Sequence, residues 1–128
     1  MEIAVWPILR SSNASALIDF LCTAFGFEEN FVLPSEDGNR ILHAQLNWPL
    51  GGGIMLGDSS MYDFELGQIG PSFVYLVTDQ PDELYKRSTA AGAQIVHPLI
   101  DRDNYESREF SVKDPEGNVW SFGTYSGE

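Results

Sequence analysis

The chain has 128 residues, 43% of them apolar, 20% charged and 12% aromatic, and seven Lys and Arg against nineteen Asp and Glu give a formal net charge of −12. This length and composition suit one compact domain and exclude collagen-like, disordered and disulfide-stapled architectures. The charge repels polyphosphate, which argues against nucleic acid and anionic membrane as partners, and it would draw in a cationic ligand.

In chain order, Glu2 to Leu9 is rich in β-compatible residues and reads as a strand running into Arg10-Ser11-Ser12-Asn13. Asn13 can cap a helix in which Ala14, Leu17, Ile18, Leu21 and Phe25 recur at helical spacing until Gly26 closes it, so a helix is predicted over Asn13 to Phe25. Cys22, the single cysteine, falls in this helix and cannot form an intrachain disulfide, which suits a reducing compartment. Phe31-Val32-Leu33 reads as a short strand broken by Pro34, a turn follows through Glu36 to Asn39, and Ile41 to Trp48 alternates as the second arm of a hairpin. Gly51-Gly52-Gly53 turns the chain into the strand Ile54-Met55-Leu56, and Gly57 to Pro71 reads as a connecting segment.

The second half repeats the order. Ser72 to Val77 is a predicted strand, Pro81 starts a helix with Leu84, Ser88 and Ala91 on its inner stripe, and Gly92 stops it. Ile95-Val96-His97 resumes strand and ends at Pro98, Arg108 to Lys113 alternates, Asp114 to Asn118 is a turn, and Val119 to Thr124 is the last strand. The step from Trp6 to Phe73 is one residue longer than the equal steps from Gly26 to Gly92 and from Met55 to Ser121, so a single inserted residue relates two βαβββ units. The expectation is one α+β domain: a first module over 1–57, a connecting segment over 58–71 and a second module over 72–128. No basic segment followed by an apolar one opens the chain, and no apolar run reaches the about 18 residues of a membrane span, so the expected location is the cytoplasm.

The doubled βαβββ order, Ala24-Phe25-Gly26-Phe27-Glu28 closing the first helix, Ala90-Ala91-Gly92-Ala93 closing the second, and the Asp114-Pro115-Glu116-Gly117-Asn118 turn leading into Val119 to Tyr125 resemble the vicinal oxygen chelate superfamily. Within it the chain is similar to the glyoxalase/bleomycin-resistance branch over essentially its whole length. The resemblance implies two U-shaped mixed sheets, each with a helix on its convex face and a ligand cavity on its concave face. Strand parity then assigns Val5, Leu9, Leu42, Ala44, Leu46, Val74, Leu76, Phe110, Val112, Trp120 and Phe122 to the core. The same parity turns Trp6, Ile8, Arg10, His43, Gln45, Asn47, Met55, Phe73, Tyr75, Val77, Glu109, Ser111, Ser121 and Gly123 to the cavity.

Metal-dependent relatives hold a divalent ion with one His or Glu on each of the first, fourth, fifth and eighth strands. Those positions carry Trp6, Met55, Phe73 and Ser121 here, and none is a useful ligand for a hard or borderline ion, so no metal and no other cofactor is expected. The aromatic replacements suit an apolar floor that stacks a planar or cationic molecule. Bleomycin-resistance-type relatives are metal-free dimers that sequester a drug in grooves built from both chains, and the resemblance implies the same of this chain: a homodimer binding a small organic ligand, with antibiotic resistance as its consequence. An alternative is a glyoxalase-type lyase or isomerase, either with a relocated metal or with His43 and Glu109, expected opposite each other, as acid–base pair. A third is a structural dimer without ligand. His97, before Pro98, reads as a surface residue, and Gly51 to Gly53 lacks the Lys-Ser/Thr of a phosphate loop.

Overall fold

In a computed structural model that describes residues 4–61 and 71–127, eight strands and two helices follow in the order β1 (Ile8–Ser11), α1 (Ala14–Phe20), β2 (Glu28–Pro34), β3 (Ile41–Asn47), β4 (Gly53–Asp58), β5 (Phe73–Val77), α2 (Pro81–Ala90), β6 (Gln94–Asp101), β7 (Arg108–Lys113) and β8 (Val119–Gly123). The strands form two four-stranded sheets, ordered β1-β4-β3-β2 and β5-β8-β7-β6, so each backbone ladder closes within its own half of the chain. In each sheet the outer pair, β1 with β4 or β5 with β8, is parallel and the rest antiparallel. This is the βαβββ unit, twice.

The single-residue difference between the halves lies in the first helix. The two helix N-caps, Asn13 and Gln80, stand one residue further apart than Gly26 and Gly92, the left-handed glycines that follow the helices. The extra residue is absorbed by a π-helical turn, Leu21–Phe25, that continues α1. The carbonyls of Cys22 and Thr23 in that turn accept from the Arg87 guanidinium of α2 at 3.1 and 2.9 Å.

The core is shared. Phe25 and Phe27 leave the first helix and pack on the inward face of β8, with ring centroids 4.8 Å apart for Phe25 and Phe122 and 5.7 Å for Phe27 and Trp120. Leu9, Leu17, Leu21, Leu46 and Leu56 from the first half are buried in the same cluster as Phe110, Val112 and Trp120 from the second. Polar links span the halves as well. Trp48 Nε1 donates to the Val77 carbonyl at 2.8 Å, and Glu116 accepts from the hydroxyl of Ser11 and from the backbone N and hydroxyl of Ser12.

Several sequence expectations need correction. The first strand begins at Ile8 rather than Glu2. Pro7 has no N–H for the ladder, although its carbonyl accepts from Met55 N at 2.9 Å, and Val5, expected in the core, is 82% exposed; Glu2 and Ile3 lie outside the described residues. Leu42, also expected in the core, is 43% exposed. At that end of β3 the buried Asp58 carboxylate, rather than apolar packing, links Ala14 N and Ile41 N, at 2.9 and 2.6 Å. β2 extends back through Glu28-Glu29-Asn30, and β6 continues through Pro98 to Asp101. Both are edge strands with bulges, where polar residues and a proline cost little. β4 continues to Asp58 and Ser59–Met61 form a 3-10 turn, while residues 62–70 of the expected connecting segment lie outside the described residues.

Candidate functional site

Residues paired across neighbouring strands point to one side, so register defines the face of each sheet that the core does not use. On the first sheet the row Ile8, Met55, Gln45, Phe31 shares that face, with Arg10 beside Gly57 and His43 beside Leu33 in the next row. On the second, the row is Tyr75, Ser121, Ser111, His97, followed by Val77, Gly123, Glu109, Ile100. The structure therefore gathers Ile8, His43, Gln45 and Met55 on one sheet and Tyr75, Glu109, Ser111 and Ser121 on the other. Ile8, Phe31 and Leu33 of the first face and Phe73 and Tyr75 of the second are exposed.

Trp6 precedes β1 and is half-buried against Gly53, where an added Cβ would lie 2.9 Å from Trp6 Cζ3 and 2.3 Å from the Leu46 carbonyl oxygen. Phe73 opens β5 and is 74% exposed. Beside them a cleft of ≈ 250 Å³ runs between the modules, bounded by Pro7, Gly53 and Ile54 on one side and Val74 to Val77 on the other. The face of the first sheet is largely apolar and that of the second carries hydroxyls. Ser111 and Ser121 stand 2.5 Å apart, Oγ to Oγ, and Tyr75 donates to the Tyr125 carbonyl at 2.7 Å. Gly123 makes room for that phenol, since a Cβ there would sit 2.6 Å from Tyr75 Oη and 2.9 Å from Glu109 Cβ. Burial pushes the Tyr75 hydroxyl above its ordinary value.

His43 and Glu109 lie on different sheets. The His43 ring neighbours Phe31, with centroids 6.2 Å apart. Glu109 is buried and tied to the loop that follows β6: Oε1 accepts from Arg102 Nε at 2.5 Å and Tyr105 Oη at 2.9 Å, and Oε2 from Ser107 Oγ at 2.8 Å. Burial alone would raise its pKa, but the bonds from Arg102, Ser107 and Tyr105 outweigh burial and hold it below the ordinary 4.5. A folded-state value that is depressed gives stability that is present above 4.5 and lost as pH falls through the lower folded value. Glu109→Gln is therefore expected to flatten the acid limb of unfolding free energy against pH in urea titrations; an unchanged limb would refute this role.

Sequence reasoning missed four residues near this face. Arg102, Tyr105 and Ser107 sit between strands, where no periodicity marks them. His97, which the sequence places on the surface, is half-buried beside Ser111, its Nδ1 3.0 Å from the Pro98 carbonyl oxygen. The repeat could have found it, because the step that relates Gly26 to Gly92 also carries Phe31 onto His97, at the matching place in its row. At Trp6, Met55, Phe73 and Ser121, the positions the resemblance assigns to a metal, the side chains are an indole, a thioether, a phenyl ring and a hydroxyl, which do not fit a divalent ion. Among the described residues no three His, Cys, Asp or Glu side chains gather into a metal site, and no helix is long and apolar enough to cross a membrane.

Residues 4–122 match the family model of the Glyoxalase/Bleomycin resistance protein/Dioxygenase superfamily. An uncharacterized protein of Mycobacterium bovis is 33% identical over 96% of this chain and 84% of its own length. The crystal structure of TioX from Micromonospora sp. ML1 is 30% identical, covers 94% of this chain and 98% of its own, and superposes with a TM-score of 0.78. A glyoxalase I mutant from Zea mays shares the fold at 14% identity and a TM-score of 0.73, over 94% of this chain and 43% of its own.

Proposed function

The chain belongs to the glyoxalase/bleomycin resistance protein/dioxygenase superfamily, and within it we propose that it is a metal-free, dimeric, cytoplasmic protein that sequesters a planar, drug-like small molecule. The observation that carries this reading is the residue types at the four positions the resemblance assigns to a metal: Trp6, Met55, Phe73 and Ser121 offer apolar and π contacts in place of a ligand set. The ≈ 250 Å³ cleft between the modules is bounded by Pro7 and Val74, the chain neighbours of Trp6 and Phe73, and by Phe27, Trp48 and Tyr75, and would take part of an aromatic ligand. The exposed Ile8, Phe31, Leu33, Phe73 and Tyr75 leave each half-site open, and a second copy would close it. The acid–base alternative has less support, since the Glu109 carboxylate is already engaged by Arg102, Tyr105 and Ser107. That pairing also makes the attraction of a cationic ligand a long-range effect of the net charge of −12.

Screening planar antibiotics and aromatic amines by tryptophan fluorescence tests the proposal. Trp6→Ala or Phe73→Ala is expected to weaken the binding of a hit by about 1–3 kcal/mol. His43→Ala is expected to change its affinity modestly, whereas an acid–base enzyme would lose turnover by about 10²-fold or more. No ligand tighter than about millimolar would overturn the reading. Light scattering at micromolar concentration is expected to give twice the chain mass, and the mass of one chain would refute the dimer.

A further inference from the structure

The pseudo-twofold relation between the modules creates two equivalent seams, and only one is filled. The turns before β8 and β4 are built alike: Asp114 N donates to the Asn118 carbonyl and Gly117 N to the Asp114 carbonyl, just as Trp48 N donates to the Gly52 carbonyl and Gly51 N to the Trp48 carbonyl. Each turn faces the start of the other module's helix, and the helix starts are also alike. Ser11 Oγ accepts from Asn13 N at 3.0 Å, and Thr78 Oγ1 accepts from Gln80 N at 3.1 Å. In the first seam Glu116 lays its carboxylate on Ser11 and Ser12. In the second seam the repeat puts Leu50 in the place of Glu116, and Asp79, just before the Gln80 cap, in the place of Ser12, just before the Asn13 cap. The pairing is thus inverted: the helix start carries the carboxylate, and the turn supplies no donor to meet it.

What remains is a cleft of ≈ 380 Å³, within the range of small-molecule sites. Phe25, Trp48, Leu50 and Leu84 give it an apolar wall, and Asp79 and Glu83 lie at its rim. Arg87 also borders it, but its guanidinium is engaged by the Cys22 and Thr23 carbonyls. Glu83 makes only an exposed pair with Lys86 at 3.9 Å, a weak contact that a bound cation can replace. The two carboxylates outweigh the Arg87 guanidinium together with the partial positive charge at a helix start, about half an elementary charge. We propose that this seam is a second binding site, distinct from the outer sheet faces, for an aromatic cation whose amidinium or ammonium meets Asp79 and Glu83 while its ring lies against Trp48 and Phe25.

Benzamidine is a suitable probe, followed by the indole N–H resonances of the whole protein and by calorimetry. Saturable binding is expected to move the Trp48 indole signal, because Trp48 lines the cleft. Trp48 also borders the ≈ 250 Å³ cleft, so the shift belongs to the seam only if the carboxylate substitutions remove it. The double variant Asp79→Asn, Glu83→Gln is expected to weaken benzamidine at least about tenfold, with the hydrogen bonds of Asp82 to Arg108 left in place. Leu50→Lys, which brings an ammonium to Asp79, is expected to block the probe and raise the melting temperature. A perturbation confined to the Trp6 indole would overturn the seam site while supporting the outer-face reading. An unchanged affinity in the double variant, or no saturation in the millimolar range, would also overturn it.

Discussion

Asp114→Ala is expected to lower the free energy of unfolding by about 3 kcal/mol or more, because it leaves three buried donors, Trp120 Nε1, Asn118 Nδ2 and Asn118 N, without their acceptor at about 1–3 kcal/mol each. Asp114 Oδ2 accepts from Trp120 Nε1 and from Asn118 Nδ2, both at 2.8 Å, and Oδ1 accepts from the backbone N of Glu116 and Asn118. Trp120 and Asn118 are 0% and 1% exposed, so water cannot substitute without opening the core. The Asn118 side chain also accepts from Ser72 N at 2.9 Å, so the turn positions the entry to β5 as well as β8. Urea denaturation monitored by far-UV circular dichroism measures the loss, and a change under about 1 kcal/mol would show that the turn tolerates an empty centre.

The second large effect is expected at Phe25, where truncation to alanine removes about 3–5 kcal/mol. Its ring lies at the junction of both modules, 5.5 Å from Phe20, 5.7 Å from Trp120 and 4.8 Å from Phe122. Phe73→Ala is the matched control, since that ring is 74% exposed. Its loss is expected to stay within about 0.5 kcal/mol. If the two substitutions cost the same, the shared core is misassigned.

The fold was legible where alternation and helical spacing were strong. Leu9, Ala44, Leu46, Leu76, Phe110, Val112, Trp120 and Phe122 are buried as parity required, and the apolar stripe of the first helix is buried from Ala14 to Phe25. Parity failed at Val5, next to a proline that cannot join the ladder, and at Leu42, where a buried carboxylate takes the place of apolar packing. The edge strands outrun their sequence signal because Glu28-Glu29-Asn30 and the His97-Pro98 bend carry no hydrophobic alternation. On the outer faces, Ile8, Met55 and Gln45 pair across the first sheet and Tyr75, Ser121 and Ser111 across the second, whereas Trp6 lies before β1 and outside any ladder. The network around Glu109 was not legible, because Arg102, Tyr105 and Ser107 reach it through a loop whose path no local rule determines. The inserted residue showed as a change in repeat spacing, but only geometry revealed a π turn.

The confinement of every strand pairing to its own half has a consequence for how copies can exchange parts. No hydrogen-bonded ladder among the described residues crosses from one sheet to the other, so what joins the halves is the aromatic junction at Phe25 and Phe27 and a few links such as Trp48 to Val77 and Glu116 to Ser12. The first half of one molecule and the second half of another could make all of these contacts unchanged. Such a swapped pair differs in energy from two separate molecules chiefly through its connections and the entropy of association. Refolding at high concentration would therefore partition between closed and exchanged forms, and dilution alone would return the exchanged form only as fast as the shared core can open.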